Sequence, residues 1–270
     1  MKILSSLLAA GLAITAASID GAKIHSAIAG SGEPTVIFVH GWTCDSSTWV
    51  RQVPAVARRF RVITLDLPGH GQSESPKSGK FSMDLFARAV EAVRRDARAD
   101  RIVLVGHSMG TPVIRQYARL YPQHVAALVL VDGAVVLSQA NMASMAEFSH
   151  RFEGPDAAKN RESTIRGMLT PAAAPALQEK IVKMMMTPPN ATASGAMAAM
   201  GAPDIWRDDP IDVPVLGLYA DKSQAANRDA MARLFPKLEY FEIPGTDHFL
   251  MLEKPDEFNR ILLEFLNKLK

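Results

Sequence analysis

Cysteine is almost absent from this sequence: Cys44 is the single copy in 270 residues. That excludes an intramolecular disulfide, and no Cys/His cluster has zinc-ligand spacing. A lone cysteine is ordinarily an inert small hydrophobe, and the place of Cys44, just after His40-Gly41-Trp42, suits a pocket wall. A surplus of either charge is lacking too. Thirty basic residues face 28 acidic ones, for a formal net charge of +2. So even a balance leaves no electrostatic footprint for nucleic acid, and no such partner is expected. Arg58, Arg59, Arg94, Arg95, Arg98 and Arg101 are scattered among apolar positions, as on solvated helix faces. No apolar run reaches the ~20 residues of a membrane-spanning helix, so no stable span is expected. Internal repeats and low-complexity tracts are also missing. What remains is ordinary globular composition, 48% hydrophobic and 21% charged, in a chain long enough for one large core with an inserted subdomain.

The N-terminus combines Lys2, an apolar run over Ile3–Ile14 and the small residues Thr15-Ala16-Ala17-Ser18. This is the layout of a secretory signal peptide, with a buried N-terminal helix as the competing reading. Residues 1–17 are therefore expected to direct export, to the periplasm or outside the cell, with cleavage near Ala17. No cysteine follows directly, which leaves lipid modification unsupported.

Beyond that segment, Ser18 to Ile28 reads as a strand pair turning at Asp20-Gly21. Continuous apolar runs then recur at Val36–Val39, Arg61–Leu65, Arg101–Val105, Val125–Val131, Val213–Tyr219 and Leu238–Ile243. Such runs suit strands of a parallel sheet buried on both faces. Between them lie helical stretches: Ser47–Arg59, Phe81–Ala97 with Ser82 as N-cap, Thr111–Tyr121, Asn227–Phe235 and Pro255–Leu269. The alternation predicts an α/β fold, a mostly parallel central sheet flanked by helices. Residues 134–211 break the alternation. They carry eight of the 13 methionines and no buried-strand run. The expected organisation is a core over 18–133 and 212–270, with 134–211 inserted as a helical cap. Its methionines read either as core filling or as an adaptable apolar lid over a ligand pocket.

Chemistry concentrates at Gly106-His107-Ser108-Met109-Gly110, which follows a buried strand and precedes a helix. A G-x-S-x-G string in that context is a nucleophile elbow. The strand must bend sharply with the serine in a strained conformation, and small flanking residues let neighbouring backbone pass. Ser108 is the candidate nucleophile. A serine hydroxyl needs a base, and His248 in Gly245-Thr246-Asp247-His248-Phe249, directly after the last strand, is the candidate. Two N–H donors are needed for a developing oxyanion. The backbone N–H of Met109 and that of Trp42, in the loop after Val36–Val39, are the candidates.

With these pieces in hand the sequence resembles the α/β-hydrolase superfamily. The matching motifs are His40-Gly41-Trp42, Asp66-Leu67-Pro68-Gly69-His70-Gly71-Gln72-Ser73, the elbow at Ser108, and Asp247-His248-Phe249 with Glu253-Lys254-Pro255. They span nearly the whole chain after the export segment. The resemblance implies that Asp66 to Ser73 is a structural turn. It also implies a third catalytic member, a carboxylate, after the strand Val213–Tyr219, where the usual spacing meets Ser223 instead. Two candidates remain: Asp132, at the end of Val125–Val131, where some relatives carry a relocated acid, and Asp221. Asp132 is favoured because a triad is defined by geometry rather than by sequence position. A serine nucleophile separates the chain from the dehalogenase and epoxide-hydrolase branches, which use aspartate. The resemblance implies ester hydrolysis through an acyl-enzyme, with no metal or cofactor, and the apolar, Met-rich cap points to a small to medium hydrophobic acyl or alcohol group. Carbon–carbon bond hydrolysis, acyl transfer or perhydrolase-like chemistry, and a ligand-binding receptor on the same scaffold, are the alternatives.

Overall fold

The computed structural model describes residues 13–14, 17–169 and 173–270. The expected export segment, residues 1–17, falls almost wholly outside them. Among the described residues there are ten strands: β1 (Ala13–Ile14), β2 (Ser18–Ile19), β3 (Ala22–Lys23), β4 (Ser26–Ala29), β5 (Thr35–Val39), β6 (Val62–Leu65), β7 (Ile102–His107), β8 (Val125–Val131), β9 (Val215–Ala220) and β10 (Leu238–Ile243). The helices are α1 (Val53–Val56), α2 (Met83–Asp96), α3 (Gly110–Leu120), α4 (Gln139–Ser149), α5 (Ala157–Met168), α6 (Pro175–Met185), α7 (Asn190–Met200), α8 (Arg228–Leu234), α9 (Leu250–Glu253) and α10 (Pro255–Asn267). No helix among the described residues is long and apolar enough to cross a membrane.

Eight strands form one sheet in the order β1-β4-β6-β5-β7-β8-β9-β10. The six from β6 to β10 are parallel, and β4 and β1 pair antiparallel at one edge. β5, β6, β7 and β9 are buried at every position. That is why each reads as an unbroken apolar run rather than an alternating one. β2 and β3 make a separate hairpin, turning on Asp20 (φ +47) and Gly21 (φ +68). Two positive φ values are what a tight two-residue hairpin turn requires.

Three details depart from the sequence reading. The stretch Ser47–Arg59 is not one helix but a 3-10 turn, Ser46–Trp49, followed by α1. Asp45 caps the turn by accepting from the Ser47 N–H (2.8 Å). Pro54 has no N–H with which to carry that helix on. β10 is an edge strand, with Phe241 42% exposed, rather than a strand buried on both faces. Arg94 is not on a solvated face. It is buried in an ion pair with Glu91 (2.7 Å), whose carboxylate also accepts from Tyr117 Oη (2.8 Å). The other expected helices stand close to their predicted bounds. Ser82 and Asn227 cap α2 and α8 by accepting the N–H of Leu85 and Ala230.

Strand order decides where a site forms. From β5 the chain moves to β6 on one side and then to β7 on the other. The carboxyl ends of β5 and β7 therefore part at a topological switch point, where open α/β sheets bind ligands. Among the described residues the α-helices α4 to α7 lie between β8 and β9 and pack α4 on α7 and α5 on α6. They are tied to the rest by Trp42 Nε1 donating to Ala193 O (2.8 Å), and by the buried Arg115, whose guanidinium donates to the carbonyls of Val135 and Arg207.

Candidate active site

The carboxyl ends of β5, β7, β8, β9 and β10 line one cavity. At the end of β7, Ser108 has φ +52, in the left-handed region that favours glycine. The bend survives because of its small flanks. A Cβ on Gly110 would sit 2.5 Å from Val39 O, and one on Gly106 would collide with the Gly110 carbonyl. The Ser108 N–H continues the ladder by donating to Val131 O (2.9 Å), so the kinked residue remains pinned to β8.

At the end of β8, Asp132 adopts φ +44 and donates its N–H to Leu218 O (3.0 Å). Its buried carboxylate accepts from the Ala220 N–H at Oδ1 (3.2 Å) and from His248 Nδ1 at Oδ2 (2.7 Å). Burial works to raise its pKa. The bonds from His248, the Ser223 hydroxyl and the Ala220 N–H outweigh burial and hold the carboxyl below its ordinary value. Asp221 is exposed at the cavity rim and makes no hydrogen bond to His248. The carboxylate on this imidazole is thus Asp132.

His248 follows β10, after a turn at Gly245 (φ +66). Its ring lies 4.7 Å from that of His107, centroid to centroid, and its carbonyl oxygen accepts from His107 Nε2 (2.8 Å). Burial, then the nearby His248, push the His107 pKa down to about 3, so His107 is a neutral donor that fixes the loop. With Nδ1 of His248 turned to the Asp132 carboxylate, Nε2 is the ring nitrogen left for a second partner. Ser108 and His248 line one cavity of about 690 Å³ without being hydrogen bonded to each other. After β5, Gly41 lets the backbone approach closely. A Cβ there would stand 3.1 Å from both Ser108 Cβ and His107 Nδ1. Among the described residues, the backbone N–H groups of Trp42 and Met109 donate to no protein acceptor.

The cavity is walled by Met145, Met168, Met185, Met197 and Met200, with Trp42, Cys44 and Phe249. Five of the eight methionines of residues 134–211 therefore face it. Met184 instead accepts from the Ser47 hydroxyl (3.4 Å). The Cys44 thiol is pushed up to about 12, by burial first and then by Asp45, which leaves it without thiolate character at neutral pH. Sequence reasoning missed the roles of Ser223 and of the Ala220 N–H beside Asp132. The available signal was the presence of a hydroxyl where the resemblance puts an acid.

The family model of the alpha/beta hydrolase fold matches residues 34–255. The chain belongs to this family. Among solved structures, this hydrolase-fold chain is similar to a thermophilic esterase from Thermogutta terrifontis. The two are 26% identical with a TM-score of 0.82, over 96% of this chain and 99% of that one. It is 25% identical over 269 residues to an esterase/lipase-named protein of Haemophilus influenzae, covering 94% of this chain and 91% of the relative. An uncharacterized protein of Mycobacterium tuberculosis is 35% identical over 125 residues, 46% of this chain. That match spans 36% of the relative's own length.

Proposed function

We propose that the chain is a serine hydrolase that cleaves a carboxylic ester, or a related acyl substrate, through an acyl-enzyme on Ser108. His248 Nε2 takes the Ser108 proton as Oγ attacks the carbonyl carbon. Asp132 holds the imidazole in the required tautomer and stabilises the imidazolium that forms. The Trp42 and Met109 N–H groups receive the oxyanion. His248 then protonates the leaving alcohol and later activates the water that releases the acid. Substrate binding is expected to bring Ser108 Oγ and His248 Nε2 into hydrogen-bond contact, since such bonds are often long in empty sites.

One observation carries this reading: the 2.7 Å bond from His248 Nδ1 to a buried carboxylate, on the wall of the same cavity as a serine held at φ +52. Relatives named as esterases support it. The methionine wall favours a small to medium hydrophobic substrate. Lys2, the apolar run after it and the small residues before Ser18 support export as the setting. The test is hydrolysis of a chromogenic short-chain ester by the wild type and by Ser108→Ala. The variant is expected to lose on the order of 10³-fold or more in kcat. Undiminished turnover by Ser108→Ala would overturn the reading. Tight ligand binding without turnover by the wild type would replace it with that of a receptor.

A further inference from the structure

We propose that the substrate site continues through the cap into a second chamber, which takes the far end of a linear acyl chain. The inference rests on the ester-hydrolase reading of the first chamber. A groove of about 700 Å³ lies between α4 and α5. Met145 of α4, Met168 of α5 and Met197 of α7 line both this groove and the cavity at Ser108. The two spaces therefore share a wall, and that wall is made of thioether side chains. Branched or aromatic residues would set a hard limit on chain length. Methionine is unbranched, with three rotatable bonds, and refills whatever space is left. Three methionines are a gate through which an extended chain passes and a bulky one does not.

The far side of the gate has two characters. Leu137 and Phe148 continue the apolar lining, and Ser163 and Thr164 bring hydroxyls. At the outer end, the exposed Arg151 lays its guanidinium 5.0 Å from the centroid of the Phe148 ring. Among the described residues Arg151 pairs with no carboxylate. Cation–ring stacking holds this charge over the groove. A chain with an apolar middle and a carboxylate at its far end matches that order: ester at Ser108, methylenes between the methionines, anion at Arg151.

Gly167 of α5 provides the test. It lines the groove but not the cavity at Ser108, and a Cβ built on it meets nothing within 4 Å. Gly167→Leu should therefore fold, fill the groove and gain helix propensity. The measurement is kcat/KM for p-nitrophenyl esters of straight acids from two to twelve carbons, and for the matching monoesters of α,ω-dicarboxylic acids. In the wild type the value should climb by up to roughly fourfold for each methylene that finds cover. The carboxylate-ended series should outrun the methyl-ended one, and Arg151→Gln should remove that advantage. In Gly167→Leu the ratio of the ten-carbon to the two-carbon ester should fall by at least roughly tenfold. An unchanged ratio overturns the proposal. Failure to turn over any ester overturns the hydrolase reading instead. The second chamber is then judged by calorimetric binding of decanoate and decanedioate. A Kd weakened at least roughly tenfold by Gly167→Leu supports it. Equal or absent binding refutes it.

Discussion

Replacing Asp132 by asparagine is expected to cost about 10³–10⁴ in kcat/KM, whereas the same change at Asp221 should cost less than about threefold. Asparagine is the right probe because Asp132 sits at φ +44, a conformation that Asn tolerates and most other residues do not. The backbone is then retained, and only the charge and one acceptor are changed. The bond at stake is a charge-assisted contact of 2.7 Å, with the carboxylate side chain 5% exposed and the imidazole 22%. A fully enclosed triad aspartate is worth about 10⁴, or about 5.4 kcal/mol on the barrier at ~1.36 kcal/mol per tenfold. The partial exposure of His248 lets water soften that loss, which sets the lower end of the range. The assay is saturation kinetics on a chromogenic short-chain ester, with circular dichroism confirming that each variant folds. A second readout is acid unfolding. The Asp132 carboxyl is held below its ordinary value, so its contribution to stability is present above the ordinary carboxylate range. It is lost as pH falls through the folded value. The stability gap between the wild type and Asp132→Asn should close in acid. Equal mild losses in the two Asn variants, or a larger loss at Asp221, would refute the assignment of the acid.

Two further outcomes follow from groups around the site. The Glu253 carboxyl is raised to about 8, by burial first and then by Asp247, while Oε2 accepts from the Asp247 N–H (2.9 Å). A raised carboxyl favours the fold below its unfolded value and loses that advantage as pH climbs to about 8. Glu253→Gln should therefore raise the melting temperature at pH 8 and change it little at pH 4; a larger gain in acid would reverse the sign of this argument. Gly106→Ala drives a methyl into the Gly110 carbonyl and should destabilise the chain by about 1–3 kcal/mol in urea unfolding, with activity lost in step. A fully stable and active Gly106→Ala would show that the elbow has room to spare.

How far the sequence spoke depends on how local each constraint is. The elbow was legible because its demands lie within five residues: glycine at 106 and 110, a strand before and a helix after. β5 and β7 were legible because burial on both faces leaves an unbroken apolar run. The choice of Asp132 over Asp221 was legible only as a preference, because it turns on the register of β8 against β9 and on which loop reaches the ring. The helix expected at Ser47–Arg59 breaks before Pro54, which has no N–H to donate to the turn behind it and sits at the start of α1. Arg94 was misread because its i,i+3 partner Glu91 is joined by the Tyr117 hydroxyl of α3, and the burial of that group comes only with the folded chain. β10 looked like an interior strand although it ends the sheet. An apolar run does not say whether a further strand lies beside it.

The bond from the Trp42 indole to Ala193 O has a mechanical consequence. On the proposed mechanism Trp42 turns its amide to the oxyanion while its ring grips α7, so it works as a strut between the floor and the roof of the molecule. Lifting α7 far enough to admit a large ligand strains or breaks that grip, and the amide next to it loses a restraint. Roof position and amide alignment are therefore coupled through a single side chain, with no relay of residues between them.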